Sequence, residues 1–200
     1  MHEGVTRISH TPEPRYRFVG FRSRAIKLHA GRNNDADLER LAERIWLMIF
    51  CSRAIIHDTL EILRETGRLE KECVVLWLGK RREAEVTVTE CYRPIQEAES
   101  DFFRVPPEGM AALQARLRQD RLMVAAQVHS HPRAAFHSEA DDDWAIVRHE
   151  GALSLVVPRF AADTFVENFF PQTKVYEFSS HASWDEVPRS LVAASCLQII

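Results

Sequence analysis

Apolar positions along the chain fall into short blocks with two distinct periods, and these blocks predict an alternation of strands and helices. Ile45–Phe50 is a compact apolar run of strand length. Ser52 is suited to cap a helix that ends near Gly67, because Ile55, Ile56, Leu60 and Leu63 fall on one face at helical spacing. Glu72–Leu78 is almost continuously apolar and closes on Gly79, with the basic run Lys80-Arg81-Arg82 expected as a solvated hairpin turn. Val86–Cys91 opens with alternating valine and threonine and reads as the antiparallel partner. Pro106-Pro107-Glu108 opens a second helix striped by Met110, Leu113 and Leu117, and Leu122–Val128 is a buried strand that ends directly on His129. Ser138 is placed to cap a further helix with Glu139, Asp141, Asp142 and Asp143 in its first turn, ended by Gly151. Ala152–Val157 and Tyr176–Phe178 complete the strands, so the pattern predicts an α/β sandwich with helices packed on a mixed sheet.

Three segments differ in character. Residues 1–40 are polar and interrupted by Pro12, Pro14 and Gly31–Asn34, which predicts an N-terminal extension, with Tyr16–Phe21 as a candidate edge strand. Residues 41–187 carry the alternating elements of a single domain, and residues 188–200 read as an apolar C-terminal tail.

Composition narrows the function classes. A hydrophobic share of 46% beside 28% charged residues is that of a folded domain, not a disordered chain. The longest apolar runs are far shorter than the roughly 20 residues that span a bilayer, and no secretory signal is visible, so the expectation is a cytoplasmic protein. A net charge of −3 does not suit a nucleic-acid groove or an anionic membrane. Cys51, Cys73, Cys91 and Cys196 form no closely spaced pair, which excludes a zinc knuckle and suggests buried thiols in a reducing compartment.

The chemistry concentrates in His129-Ser130-His131, a six-residue spacer that runs from Pro132 to His137, and then Ser138 and Asp141. Residues i and i+2 of a strand share a face, so His129 and His131 project together. Two imidazoles and a carboxylate from the next helix suit a catalytic Zn2+, which keeps three protein ligands and leaves one position open. Counting from Ser138 selects Asp141 as the carboxylate, and counting a fixed distance from His131 selects Asp142. His137 is expected as an exposed loop histidine, and Trp77 and Trp144 as core or groove-wall aromatics.

This arrangement resembles the JAMM/MPN+ zinc metalloprotease family, in its prokaryotic JAB-like form, whose motif is HxHP followed by SxxD. The resemblance extends to an upstream strand of the form ExxxLxLG, matched here by Glu72, Leu76, Leu78 and Gly79, and covers about Ile45 to Phe178. The spacer is one residue shorter than the family's usual one, and Val75 stands where a glycine is usual. The resemblance implies a cytidine-deaminase-like sandwich and a zinc held by His129, His131 and Asp141. It further implies Glu72 as general base and Ser138 as donor to the oxyanion. The implied reaction is hydrolysis of an amide or isopeptide bond at the C-terminus of a ubiquitin-like protein, in a groove between Tyr92–Val105 and Arg159–Thr173. Ubiquitin-activating or conjugating-like proteins encoded alongside are the implied partners. The alternative is a non-catalytic MPN-type scaffold.

Overall fold

The computed structural model describes residues 47–200; the candidate strand Tyr16–Phe21 and the rest of the 1–40 extension lie outside the described residues. In chain order the elements are β1 (Met48–Cys51), α1 (Arg53–Gly67), β2 (Val74–Arg82), β3 (Glu85–Tyr92), β4 (Glu97–Ala98), β5 (Phe103–Arg104), α2 (Pro107–Asp120) and β6 (Met123–Ser130). They continue with α3 (Glu139–Asp143), β7 (Leu153–Val157), two 3-10 turns, α4 (Phe169–Gln172), β8 (Lys174–Phe178), β9 (Trp184–Glu186), α5 (Arg189–Ser195) and β10 (Leu197–Ile199). Eight strands form a mixed sheet in the order β10-β1-β3-β2-β6-β7-β8-β9, and β4 and β5 pair separately. The architecture is mixed α/β, as the periodicity requires.

Strand β2 lies inside the sheet, and its two faces feed two cores. Val75 and Trp77 pack with Ile56, Leu60 and Leu63 of α1, whereas Val74, Leu76 and Leu78 pack with Phe103 and with Leu113 of α2. That double burial explains why the segment is apolar without alternation. Ser52 caps α1 by accepting from the Ile55 backbone N–H at 3.3 Å.

Three expectations are corrected. Lys80–Arg82 is not a turn: β2 runs through it, paired to Arg82↔Glu85, and the turn follows at Glu83-Ala84. All three basic side chains are exposed, so the strand there is held by backbone bonds that leave no hydrophobic trace. The helix capped by Ser138 ends at Asp143, far short of Gly151. Instead Ile146 N–H donates to the buried Gln127 side chain at 2.9 Å, and Gly151 occupies a separate turn with φ +79°. Residues 188–200, expected as a tail, supply α5 and β10, and β10 joins the sheet edge parallel to β1 with Ile49↔Leu197 in register.

All four cysteines are free. Burial raises the pKa of each thiol, that of Cys196 to about 12. No helix among the described residues is long and apolar enough to cross a membrane.

Candidate metal centre

Strand register assembles the site. Val74 of β2 lies opposite His129 of β6 in an antiparallel pair. Continuing that register by one period places Glu72 opposite His131, and period two keeps both on the face shared by Val74 and His129. His131 is already past the end of β6, where its N–H donates to Val157 O at 2.9 Å. The start of β2 is held from its other side by Gln96. That side chain accepts from Val74 N–H at 2.8 Å and donates to Val74 O at 2.8 Å, in place of a neighbouring strand. Glu72 N–H donates to Glu99 O at 2.7 Å. Gln96 carries no signal in the sequence pattern, since an isolated glutamine in a polar loop is ordinary.

The carboxylate arrives from α3. Ser138 and Asp141 form a capping box: Ser138 N–H and Oγ–H donate to Asp141 Oδ2 at 2.7 and 2.8 Å, and Asp141 N–H donates to Ser138 Oγ at 3.2 Å. The cap therefore also aims the carboxylate. Asp141 Oδ1 lies 3.1 Å from His129 Nε2, Asp141 Oδ2 lies 3.3 Å from His131 Nε2, and the two Nε2 atoms are 3.2 Å apart. All three side chains are buried. The structure thus brings His129, His131 and Asp141 together, while Asp142 is exposed and faces His137 Nδ1 at 3.4 Å.

The donor set fits a metal ion. Ligands of a tetrahedral ion with bonds of about 2.0–2.1 Å stand about 3.3 Å from one another. The ionised carboxylate supplies the negative charge that a cation needs. Burial opposes charge on Asp141, but the bonds from His129 and His131 outweigh it and hold the carboxyl well below its usual range. Burial likewise opposes charge on His131, and its contact with Asp141 and the charge of Glu72 outweigh it and raise the pKa. His129 Nδ1 meets no hydrogen-bond partner, so this ring is fixed by packing against Phe103, 5.3 Å between centroids.

Glu72 is buried at the edge of the triad, in a groove of about 710 Å³ that is also lined by Asp101, His131, Phe136, Ser138 and Phe160. Burial lifts its carboxyl to about 7, with the charge of His131 acting against the rise and that of Asp141 adding to it. Asp101 and Phe160 come from the two segments expected to bound the groove.

His137 departs from expectation. Its side chain is only 6% exposed and packs 5.0 Å from the Tyr176 ring and 5.3 Å from that of Trp184. Burial, then the neighbouring His129, push its pKa down to about 4. Its neighbours come from β8 and β9, which local sequence around His137 does not reveal. Trp77 is fully buried, whereas Trp144 is exposed with the Arg104 guanidinium 5.6 Å from its ring centroid.

One further feature borders the groove. Arg159, Phe160 and Ala161 are consecutive non-glycine residues at φ 50°, 50° and 60°. Such left-handed conformations cost about 1–3 kcal/mol each and persist only where the surroundings over-determine them.

The family model described as prokaryotic homologs of the JAB domain matches residues 58–163, a span that holds Glu72, His129, His131 and Asp141. A Sinorhizobium fredii protein named as a probable metalloprotease is 34% identical over 134 residues, 65% of this chain and 81% of its own length. The solution structure of a Desulfitobacterium hafniense protein superposes with a TM-score of 0.55 at 17% identity, covering 76% of this chain and 93% of that one. A crystal structure of an Archaeoglobus fulgidus JAB1/MPN domain protein aligns with a TM-score of 0.38 at 16% identity, over 76% of this chain and 96% of that one.

Proposed function

The chain belongs to the family of prokaryotic homologs of the JAB domain, and on that premise we propose that it is a zinc metallopeptidase. Its substrate is an amide or isopeptide bond at the C-terminus of a ubiquitin-like protein, cleaved either from a conjugate or from a precursor. The observation that carries the reading is the buried triangle of His129, His131 and Asp141 with Glu72 opposite His131. The name of the Sinorhizobium relative supports peptidase chemistry at the coarse level.

His129 Nε2, His131 Nε2 and one oxygen of Asp141 would hold the ion. When bound, zinc supplies Lewis-acid polarisation of the scissile carbonyl and lowers the pKa of water at its open position towards about 7. Glu72 accepts the proton of the attacking water and returns it to the leaving amine. A carboxyl in the groove at the edge of the triad suits both transfers, since the group that takes the proton of the water can return it to the amine. Ser138 lines the groove, and its hydroxyl, which donates to Asp141 in the free chain, would turn to the developing oxyanion and leave Asp141 Oδ2 to the Ser138 N–H. The groove takes an extended C-terminal tail. The work is set in the cytoplasm, beside ubiquitin-activating or conjugating-like partners.

The test is a panel of ubiquitin-like fusions and conjugates incubated with zinc-loaded wild type and with Glu72→Gln. Wild type cleaves at least one of them. Glu72→Gln retains its zinc and loses about 100-fold or more in kcat, the scale of general acid–base catalysis. A variant that cleaves as fast as wild type removes Glu72 from the mechanism. A wild type that takes up well under one equivalent of zinc from metal-replete growth is a scaffold and not a peptidase.

A further inference from the structure

Of the two imidazole ligands, His131 is the less secured by the sheet, since β6 ends at Ser130. Ligand atoms must nevertheless be placed to within about half an ångström. What holds this segment is the left-handed run Arg159–Phe160–Ala161. Phe160 N–H donates to His131 O at 2.9 Å, and Arg159 N–H donates to Arg133 O at 2.9 Å. With the Val157 contact, both main-chain polar groups of His131 are thereby tied to β7 and the turn that follows it.

The turn is in turn held from α1. Arg64 Nε donates to Ala161 O at 3.0 Å, and its Nη2 donates to Thr164 O. Three residues on, Gly67 leaves space that any side chain would fill, since a Cβ there collides with Phe160 Cβ. The chain supplies no glycine or asparagine within the turn itself to ease its backbone. The conformation therefore depends on the strand end on one side and the end of α1 on the other. Its product is twofold, because the same turn that ties down His131 also sets Phe160 as a wall of the groove.

We propose that Arg159–Ala161 is a positioning strap for the metal centre, held in its left-handed form by Arg64 and Gly67, and that Arg64 is thereby a positioning residue for His131. The proposal rests on the reading of the triad as a zinc site. Arg64 touches neither the ion nor the substrate, and it acts through the carbonyls of the loop.

The experiment measures zinc affinity of the full chain by competition with a chromophoric chelator, with far-UV circular dichroism as the check on folding. Arg64→Met is expected to weaken zinc binding about ten-fold or more, the usual scale for residues that support a ligand from behind, with the dichroism of wild type. Adding Ala161→Gly to Arg64→Met lets the turn form without its clamp, and affinity returns to near the wild-type value. An arginine that merely joined α1 to the loop would show no such rescue. A loss well short of ten-fold in Arg64→Met, or a double variant no tighter than the single one, overturns the proposal. Should Arg64→Met not fold, Arg64→Lys, which keeps the charge and loses the second carbonyl contact, is read by the same limits. Wild type that binds zinc while the variants match it rejects the strap alone. Wild type that binds none rejects the metal centre and the strap with it.

Discussion

Two buried polar side chains show how single residues fix this domain. The indole N–H of Trp77 donates to Thr59 Oγ1 at 2.8 Å, and that hydroxyl donates to Ile55 O at 2.7 Å, so one threonine joins β2 to α1 and satisfies a fully buried ring. Thr59→Val keeps the shape and strands the indole donor. The loss is about 1–3 kcal/mol in urea unfolding, and it shrinks in a Trp77→Phe background, where no indole donor is left to strand. A Thr59→Val protein as stable as wild type would mean that the indole finds another acceptor. His137 makes the second case, through pH. Its imidazole is pushed down to about 4 in the folded chain, whereas an unfolded histidine titrates near 6.5. Between these values the unfolded chain binds the extra proton. The contribution of His137 is thus complete above about pH 6.5 and is lost as pH falls towards 4, with a slope of at most about 1.4 kcal/mol per pH unit. His137→Asn, followed by denaturant midpoints of the chelated protein from pH 7.5 to 4.5, gives a shallower decline than wild type. Parallel curves would mean that His137 titrates normally.

At the scale of elements, the glycine that closes the Glu72 strand has a steric reason. A Cβ on Gly79 would lie 2.5 Å from Thr87 O and 2.8 Å from Val86 Cγ1, where β2 shifts register against β3. The first of these is a backbone atom of a paired strand and cannot swing aside. Gly79→Ala is expected to cost about 1–3 kcal/mol, the range for overpacked cores, read as a lower urea midpoint without loss of the zinc ligands. An unchanged midpoint would show that the two strands separate freely there. Strands β2, β3, β6, β7 and β8 were legible because each buries apolar side chains at a period the sequence displays. The exposed end of β2 at Lys80–Arg82, the two-residue strands β4 and β5 and the brevity of α3 were not legible, since backbone pairing and side-chain bonds define them. Strand β10 pairs with β1 from the other end of the described chain, a partnership no local pattern announces.

For the whole molecule, the candidate metal centre was legible to the extent that it is local. His129, His131, Ser138 and Asp141 lie in one short run, and a single antiparallel register adds Glu72. The supports were hidden because they are distant: Gln96 at Val74, Tyr176 and Trp184 around His137, and Arg64 on the loop after β7. A buried triangle of two imidazoles and a carboxylate links fold stability to metal occupancy, because an ion that binds the folded chain alone stabilises it by mass action. At free zinc one hundred times the dissociation constant the gain is about 2.7 kcal/mol. For a domain of this size that is roughly 5–10 °C in melting temperature. Zinc-loaded wild type treated with a strong chelator should therefore melt lower by about that amount and recover when zinc is restored. His131→Ala should melt the same with chelator or with zinc, because the imidazole that completes the triangle is gone. A wild-type melting temperature indifferent to chelator would place the ion, if any, outside the triad, since an ion held among three buried side chains cannot leave without cost to the fold that surrounds it.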